Sequence, residues 1–142
     1  MERTLRKPGW VRALVTGGSA GIGEALVRAL AARGTALVLV ARRRGPLERL
    51  AAELHASHDL ETEVLSADLT DKTDLARVES RLEERQRPID LLVNNAGSET
   101  QHAAFVARDR ELLAAEVELN VLALLRLTHQ RRSQCPREAA AM

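Results

Sequence analysis

The stretch VTGGSAGIGEAL, Val15 to Leu26, packs four glycines into nine positions between an apolar run and a segment of helical period. Read as strand, tight turn and helix, it gives each glycine a physical task. Gly17 permits a sharp exit from the strand, Gly21 has no Cβ to hold a pyrophosphate off the backbone, and Gly23 lets the first helical turn pack against the strand. Free N–H groups at the helix start, aided by the helix dipole, then face the phosphates. No Gly-Lys-Ser/Thr follows, so a P-loop is set aside.

Outward from that stretch, short β-rich apolar runs alternate with longer helical segments, the pattern of βαβ units around a parallel sheet. The runs are Val11 to Val15, Thr35 to Val40, Glu63 to Ser66 and Ile89 to Val93. The second and fourth are almost unbroken aliphatic, as strands buried on both faces require. Ile22, Leu26 and Leu30 recur every four residues with Glu24 and Arg28 paired on the outside, which predicts an amphipathic helix. Leu47, Leu50 and Leu54 form a second stripe behind Pro46, and Leu75, Val78 and Leu82 a third behind Asp71, an expected N-cap. After a loop, Asp109 to Thr128 carries nine Leu or Val in twenty residues. His129 to Met142 (HQRRSQCPREAAAM) has no Leu, Ile, Val or Phe and contains Pro136. Residues 129–142 are therefore expected to be a polar, disordered tail behind a single domain of residues 1–128.

Bulk properties exclude several partners. A chain of 142 residues, 45% hydrophobic and 29% charged with a net charge of +1, suits one globular domain and presents no overall field for nucleic acid or an anionic membrane. The amino-terminal apolar run is broken by Arg12, so no signal-peptide core forms, and no stretch reaches the roughly 18 apolar residues of a membrane span. The one cysteine, Cys135, leaves no internal disulfide or CxxC site and fits a reducing, cytoplasmic location. His55 and His58 are three apart without a third ligand, and His102 and His129 stand alone, so no metal site is expected.

Thr16-Gly17-Gly18-Ser19-Ala20-Gly21-Ile22-Gly23 resembles the TGxxxGxG motif of the short-chain dehydrogenases/reductases. Asn94-Asn95-Ala96-Gly97, directly after the fourth run, resembles that family's NNAG motif, and Asn120 stands in ELNV within the fourth expected helix. All three asparagines of the chain fall on these positions. The resemblance covers about Val11 to Thr128. It implies an α/β fold, a doubly wound parallel sheet of Rossmann type, incomplete here, with about four strands in the order 3-2-1-4. It also implies a nicotinamide dinucleotide held by Gly17, Ser19, Ala20, Gly21, Ile22, Gly23, Asn95, Ala96 and Gly97, the NNAG stretch also bracing the central sheet. Asp68 and Leu69 stand where the family contacts the adenine ring.

In dinucleotide folds a carboxylate at the end of the second strand, about 20 residues past the glycines, receives the ribose hydroxyls, whereas arginine there suits a 2′-phosphate. Here the strand ends LVLVARRR, with Ala41 near the acidic position and Arg42, Arg43 and Arg44 following. NADP(H) is therefore expected over NAD(H), with Arg42 the leading phosphate contact and Arg43 the second. A methyltransferase would want an acid at this place to hold ribose hydroxyls.

The resemblance further implies hydride transfer between nicotinamide and a carbonyl or alcohol substrate, using a tyrosine acid/base, a lysine four residues later and a serine, all downstream of ELNV. The chain has no tyrosine, and its two lysines, Lys7 and Lys72, lie upstream. Of the family's active-site set only Asn120 is present, where the family holds a water of the proton relay. The expectation is an NADP-dependent oxidoreductase by family, represented by an amino-terminal half that is itself inactive, with a frameshift near Thr128 as one cause. A non-catalytic NADP(H)-binding module and an unstable truncated product are the alternatives. A full-length relative would be a homo-oligomer.

Overall fold

Four apolar runs form strands β1 (Arg12–Thr16), β2 (Ala36–Ala41), β3 (Thr62–Ser66) and β4 (Leu91–Val93). In the computed structural model, which describes residues 9–98 and 104–132, they make one parallel sheet in the order β3-β2-β1-β4. This is the doubly wound, Rossmann-like arrangement expected. Lys7, His102, Cys135 and Pro136 lie outside the described residues.

The period of two in the strands sorts the core into two layers. Ala13, Val15, Leu37 and Leu39 face helices α1 (Gly21–Ala31) and α2 (Arg44–His58), against Val27, Leu30, Leu47, Leu50 and Leu54. Leu14, Val38 and Val40 face the other way, toward Leu75, Val78 and Leu82 of α3 (Lys72–Glu83) and toward Ala123 and Leu127. Burial of both faces explains why β2 tolerates no polar residue from Leu37 to Val40.

The fourth helical stretch begins as α4 (Arg110–Val117), passes through a π-helical segment (Glu118–Ala123) and continues as α5 (Leu124–Arg132). The helix thus runs past Thr128, into the stretch read as polar tail. Its last turns are held laterally: Arg126 pairs with Glu79 of α3 at 2.6 Å, Gln130 bonds Glu83, and Arg131 Nη2 donates to the Asp90 carbonyl at 2.9 Å. Those bonds replace the apolar anchoring that the composition lacks. On the outer side Val117, Val121, Leu124 and Leu125 remain exposed. No helix among the described residues is long and apolar enough to cross a membrane.

One stripe is corrected. Ile22 is 75% exposed and Leu26 is exposed as well, while the buried face of α1 is Gly23, Val27, Leu30 and Ala31. The paired Glu24 and Arg28 are on the outside as expected, with Arg28 Nε and Nη2 both donating to Glu24 Oε1, and Nη2 reaching Glu53 of α2 at 2.8 Å. The bond to Glu53 first, then that to Glu24, holds the Arg28 pKa above its ordinary value.

Candidate functional site

Parallel strands bring their carboxyl ends to one edge, and four of the expected segments meet there. Gly17 leaves β1 with φ +67°, a left-handed conformation that favours glycine, and its N–H donates to the Val40 carbonyl at 2.8 Å. A Cβ on Gly17 would stand 2.9 Å from Asn95 Nδ2. Gly23 has its own reason: a Cβ there would overlap the Gly17 carbonyl oxygen, so the first turn of α1 sits directly on the turn leaving β1. Gly21, at φ +55°, has no neighbour within 4 Å of where a Cβ would be, so the space over its backbone is open.

Helix α1 begins behind Ala20, which is extended at φ −162° and ψ 162° and offers no side-chain cap. The N–H groups of Gly21, Ile22 and Gly23 belong to the first turn, where intrahelical partners do not exist. Ser19 is half-buried and Ala20, Gly21 and Ile22 are exposed, so these donors border solvent. The one acid of that turn, Glu24, is already paired with Arg28 and adds little repulsion toward an anion. This is an anion-binding geometry built from backbone.

Asn95 ties the turn to β4. Its Nδ2 donates to the carbonyls of Thr16 and Gly17, each at 3.2 Å, while the N–H groups of Asn95 and Ala96 both donate to Thr16 Oγ1 at 3.0 Å. Asn94 Nδ2 donates to Thr128 Oγ1 at 2.9 Å, fastening α5 to the end of β4. Gly97 lies against Asn120: a Cβ there would come within 3.2 Å of Asn120 Oδ1. Asn120 sits in the π-helical segment and bonds the Ser98 backbone twice, accepting from its N–H at 3.0 Å and donating to its carbonyl at 2.8 Å. Its carboxamide is thus engaged with the loop after β4.

Arg42 and Arg43 occupy the two-residue connection between β2 and α2, and both are exposed. Arg44 pairs with Glu48 at 2.6 Å, but neither Arg42 nor Arg43 meets a carboxylate among the described residues. After β3, Asp68 Oδ1 accepts from the Thr70 N–H and hydroxyl, and Leu69 is buried in the core. Asp74 of α3 accepts the Asp68 N–H at 2.8 Å; that bond first, and Arg77 second, holds the Asp74 carboxyl below its usual range. An open groove of about 590 Å³ lies elsewhere, between β3 and α3 along Glu63, Thr73, Ser80 and Arg81. His55 lies 3.9 Å from Asp59, both exposed on the far end of α2.

Sequence reasoning missed Asp74, Ser66 and the hydroxyl of Thr16 as supports of this edge. Only Thr16 carried a signal, as the first residue of the TG pair. The Ser66 bond depends on the register of β2 and β3, which no local pattern announces, while Asp74 reaches back from α3 to the Asp68 N–H in the loop after β3.

Comparison with known proteins gives the same architecture. Nodulation protein G of Rhizobium sp. (strain N33) is 36% identical over 119 residues, 84% of this chain and 46% of that protein. The bulky-bulky ketone specific alcohol dehydrogenase from Comamonas testosteroni superposes with a TM-score of 0.84 at 38% identity, over 89% of this chain and 50% of that one. A short-chain dehydrogenase from Sphingobium yanoikuyae, solved in complex with NADPH, gives a TM-score of 0.82 at 42% identity, over 87% of this chain and 47% of that one. The chain spans about half the length of each of these proteins. The family model described as short chain dehydrogenase matches residues 11–136, and the chain belongs to that family.

Proposed function

We propose that this chain is the NADP(H)-binding portion of an oxidoreductase that moves hydride between nicotinamide and a carbonyl or alcohol. The observation that carries the cofactor choice is the pair of guanidinium groups, Arg42 and Arg43, which meet no carboxylate among the described residues, beside the uncapped start of α1. Two exposed cations next to backbone anion donors match a dinucleotide with an extra phosphate on its ribose. A relative of 42% identity solved with NADPH supports the same choice.

The residues present fit the group. Gly17, Ser19, Ala20, Gly21, Ile22 and Gly23 would hold the pyrophosphate, Arg42 and Arg43 the 2′-phosphate, Asp68 and Leu69 the adenine, and Asn95, Ala96 and Gly97 the nicotinamide ribose side. When bound, the dinucleotide supplies the hydride. Carbonyl reduction also needs a proton at the developing alkoxide, an effect worth roughly 10² to 10⁴ in rate. With no tyrosine in the chain and Lys7 and Lys72 both before β4, we assign binding rather than turnover to these 142 residues alone. Asn120 marks the place of the proton relay, with its carboxamide ordering Ser98. The reading includes a cytoplasmic location and homo-oligomers of the complete protein.

A titration with both cofactors tests this. Wild type should bind NADPH more tightly than NADH, and Arg42→Ala should cost NADPH about tenfold or more, the size of a charge-assisted bond, while sparing NADH. Equal or tighter binding of NADH by wild type would overturn the cofactor choice. Turnover of a carbonyl panel with NADPH above a no-protein control would overturn the assignment of binding alone.

A further inference from the structure

Strand β2 ends at Ala41 and α2 begins at Arg44, so Arg42 stands between two fixed elements. The ladder between β2 and β3 closes at the pair Ala41 and Ser66, where the Ala67 N–H donates to the Ala41 carbonyl at 3.0 Å. Arg42 is the first residue beyond that ladder. Its carbonyl has lost the backbone partner that Ala41 keeps, and Ser66 supplies a substitute, its Oγ donating to the Arg42 carbonyl at 3.0 Å. On the other side Arg43 opens α2 without any side-chain cap bond. Between those two elements, the Ser66 hydroxyl is the side-chain group that bonds the Arg42 carbonyl among the described residues.

Ser66 is itself held. Its carbonyl accepts from Arg77 Nη1 at 3.3 Å, Arg77 Nη1 also donates to Asp74 Oδ1 at 2.8 Å, and Asp74 Oδ2 accepts the Asp68 N–H at 2.8 Å. One chain of contacts thus runs from the Asp68 backbone to the Arg42 backbone, through α3 and the end of β3.

The geometry points to Ser66 as a positioning residue for cofactor choice, whose hydroxyl orients Arg42 toward the 2′-phosphate that separates NADP(H) from NAD(H). This rests on the NADP(H) reading above. Ser66 makes no contact with the cofactor in this scheme. A hydroxyl that only satisfied a carbonyl would support both dinucleotides alike, whereas one that aims Arg42 affects only the phosphorylated one.

Calorimetric titration of the full 142-residue chain with NADPH and with NADH tests it in wild type, Ser66→Ala, Ser66→Thr and Arg42→Ala, with a urea midpoint for each variant. Ser66→Ala should weaken NADPH about fivefold, the worth of one neutral hydrogen bond, and leave NADH within error. Ser66→Thr, which keeps the hydroxyl, should restore most of the loss. Equal weakening of both cofactors, or an unchanged ratio between them, overturns the inference. A preference lost in Arg42→Ala but intact in Ser66→Ala overturns it while leaving the cofactor reading in place. A wild type without NADPH preference removes both.

Discussion

Helices α1 and α2 start differently from α3 and α4. The first two begin behind Ala20 and Arg43, neither of which caps with its side chain. The other two begin behind Asp71 and Asp109, each of whose carboxylates accepts two N–H bonds of the first turn, at 2.9 and 2.9 Å and at 2.8 and 3.1 Å. A good cap is worth about 1 kcal/mol, so leaving one out twice is a cost to the free chain. The omission falls at the ends of β1 and β2, beside the glycine turn and the exposed Arg42 and Arg43. At α3 and α4 the chain supplies its own carboxylate; where the proposed dinucleotide phosphates would lie, it leaves the donors open.

That contrast can be attacked at three points. The largest effect is expected from Gly23→Ala, whose Cβ would overlap the Gly17 carbonyl. Moving backbone out of the way should cost on the order of 3 kcal/mol, read as a lowered urea midpoint. Near-wild-type stability would show that α1 need not sit so close to the turn. Next comes Ala20→Asp, which gives α1 the same kind of cap as α3. It should stabilise the free chain by about 1 kcal/mol and weaken NADPH by about tenfold or more, because the new carboxylate occupies the donors and repels phosphate. Gained stability with unchanged NADPH affinity would mean that the open donors are not the binding site. The smallest effect belongs to Asp71→Ala, which should cost about 1 kcal/mol in the same urea series and leave NADPH affinity alone. A clear loss of affinity there would erase the distinction between the two kinds of helix start.

The strands were legible because burial on both faces writes itself as unbroken aliphatic sequence, seen in Leu37 to Val40. Leu47, Leu50 and Leu54, and Leu75, Val78 and Leu82, were legible for the same reason in helical period, and all six are buried. Helix α1 was misread by one position. Ile22, Leu26 and Leu30 satisfy the period as well as Gly23, Val27 and Leu30 do, and apolar size favours the first set. The close approach of Gly23 to the Gly17 carbonyl decides the matter, turning the Gly23 side inward and bringing Val27 and Ala31 with it. The π-helical segment was not legible at all, because nothing in ELNVLA marks it locally. Asn120 was found as a motif position, yet its double bond to Ser98, 22 residues away, is a long-range fact. The same holds for the bond from Ser66 to Arg42, which exists only once β2 and β3 are in register.

The clamp that Asn95 places on the glycine turn has a consequence for the order in which the chain becomes structured. Its bonds to Thr16 and Gly17 span 79 and 78 residues, so they close only after β4 has been synthesised and docked. Joining such distant segments is slow relative to forming a helix, because the loop entropy precedes any reward from the contact. Helix α1 can therefore form early, but the turn in front of it acquires its final shape late, and the proposed dinucleotide binding would report on completion of the sheet rather than assist its first steps.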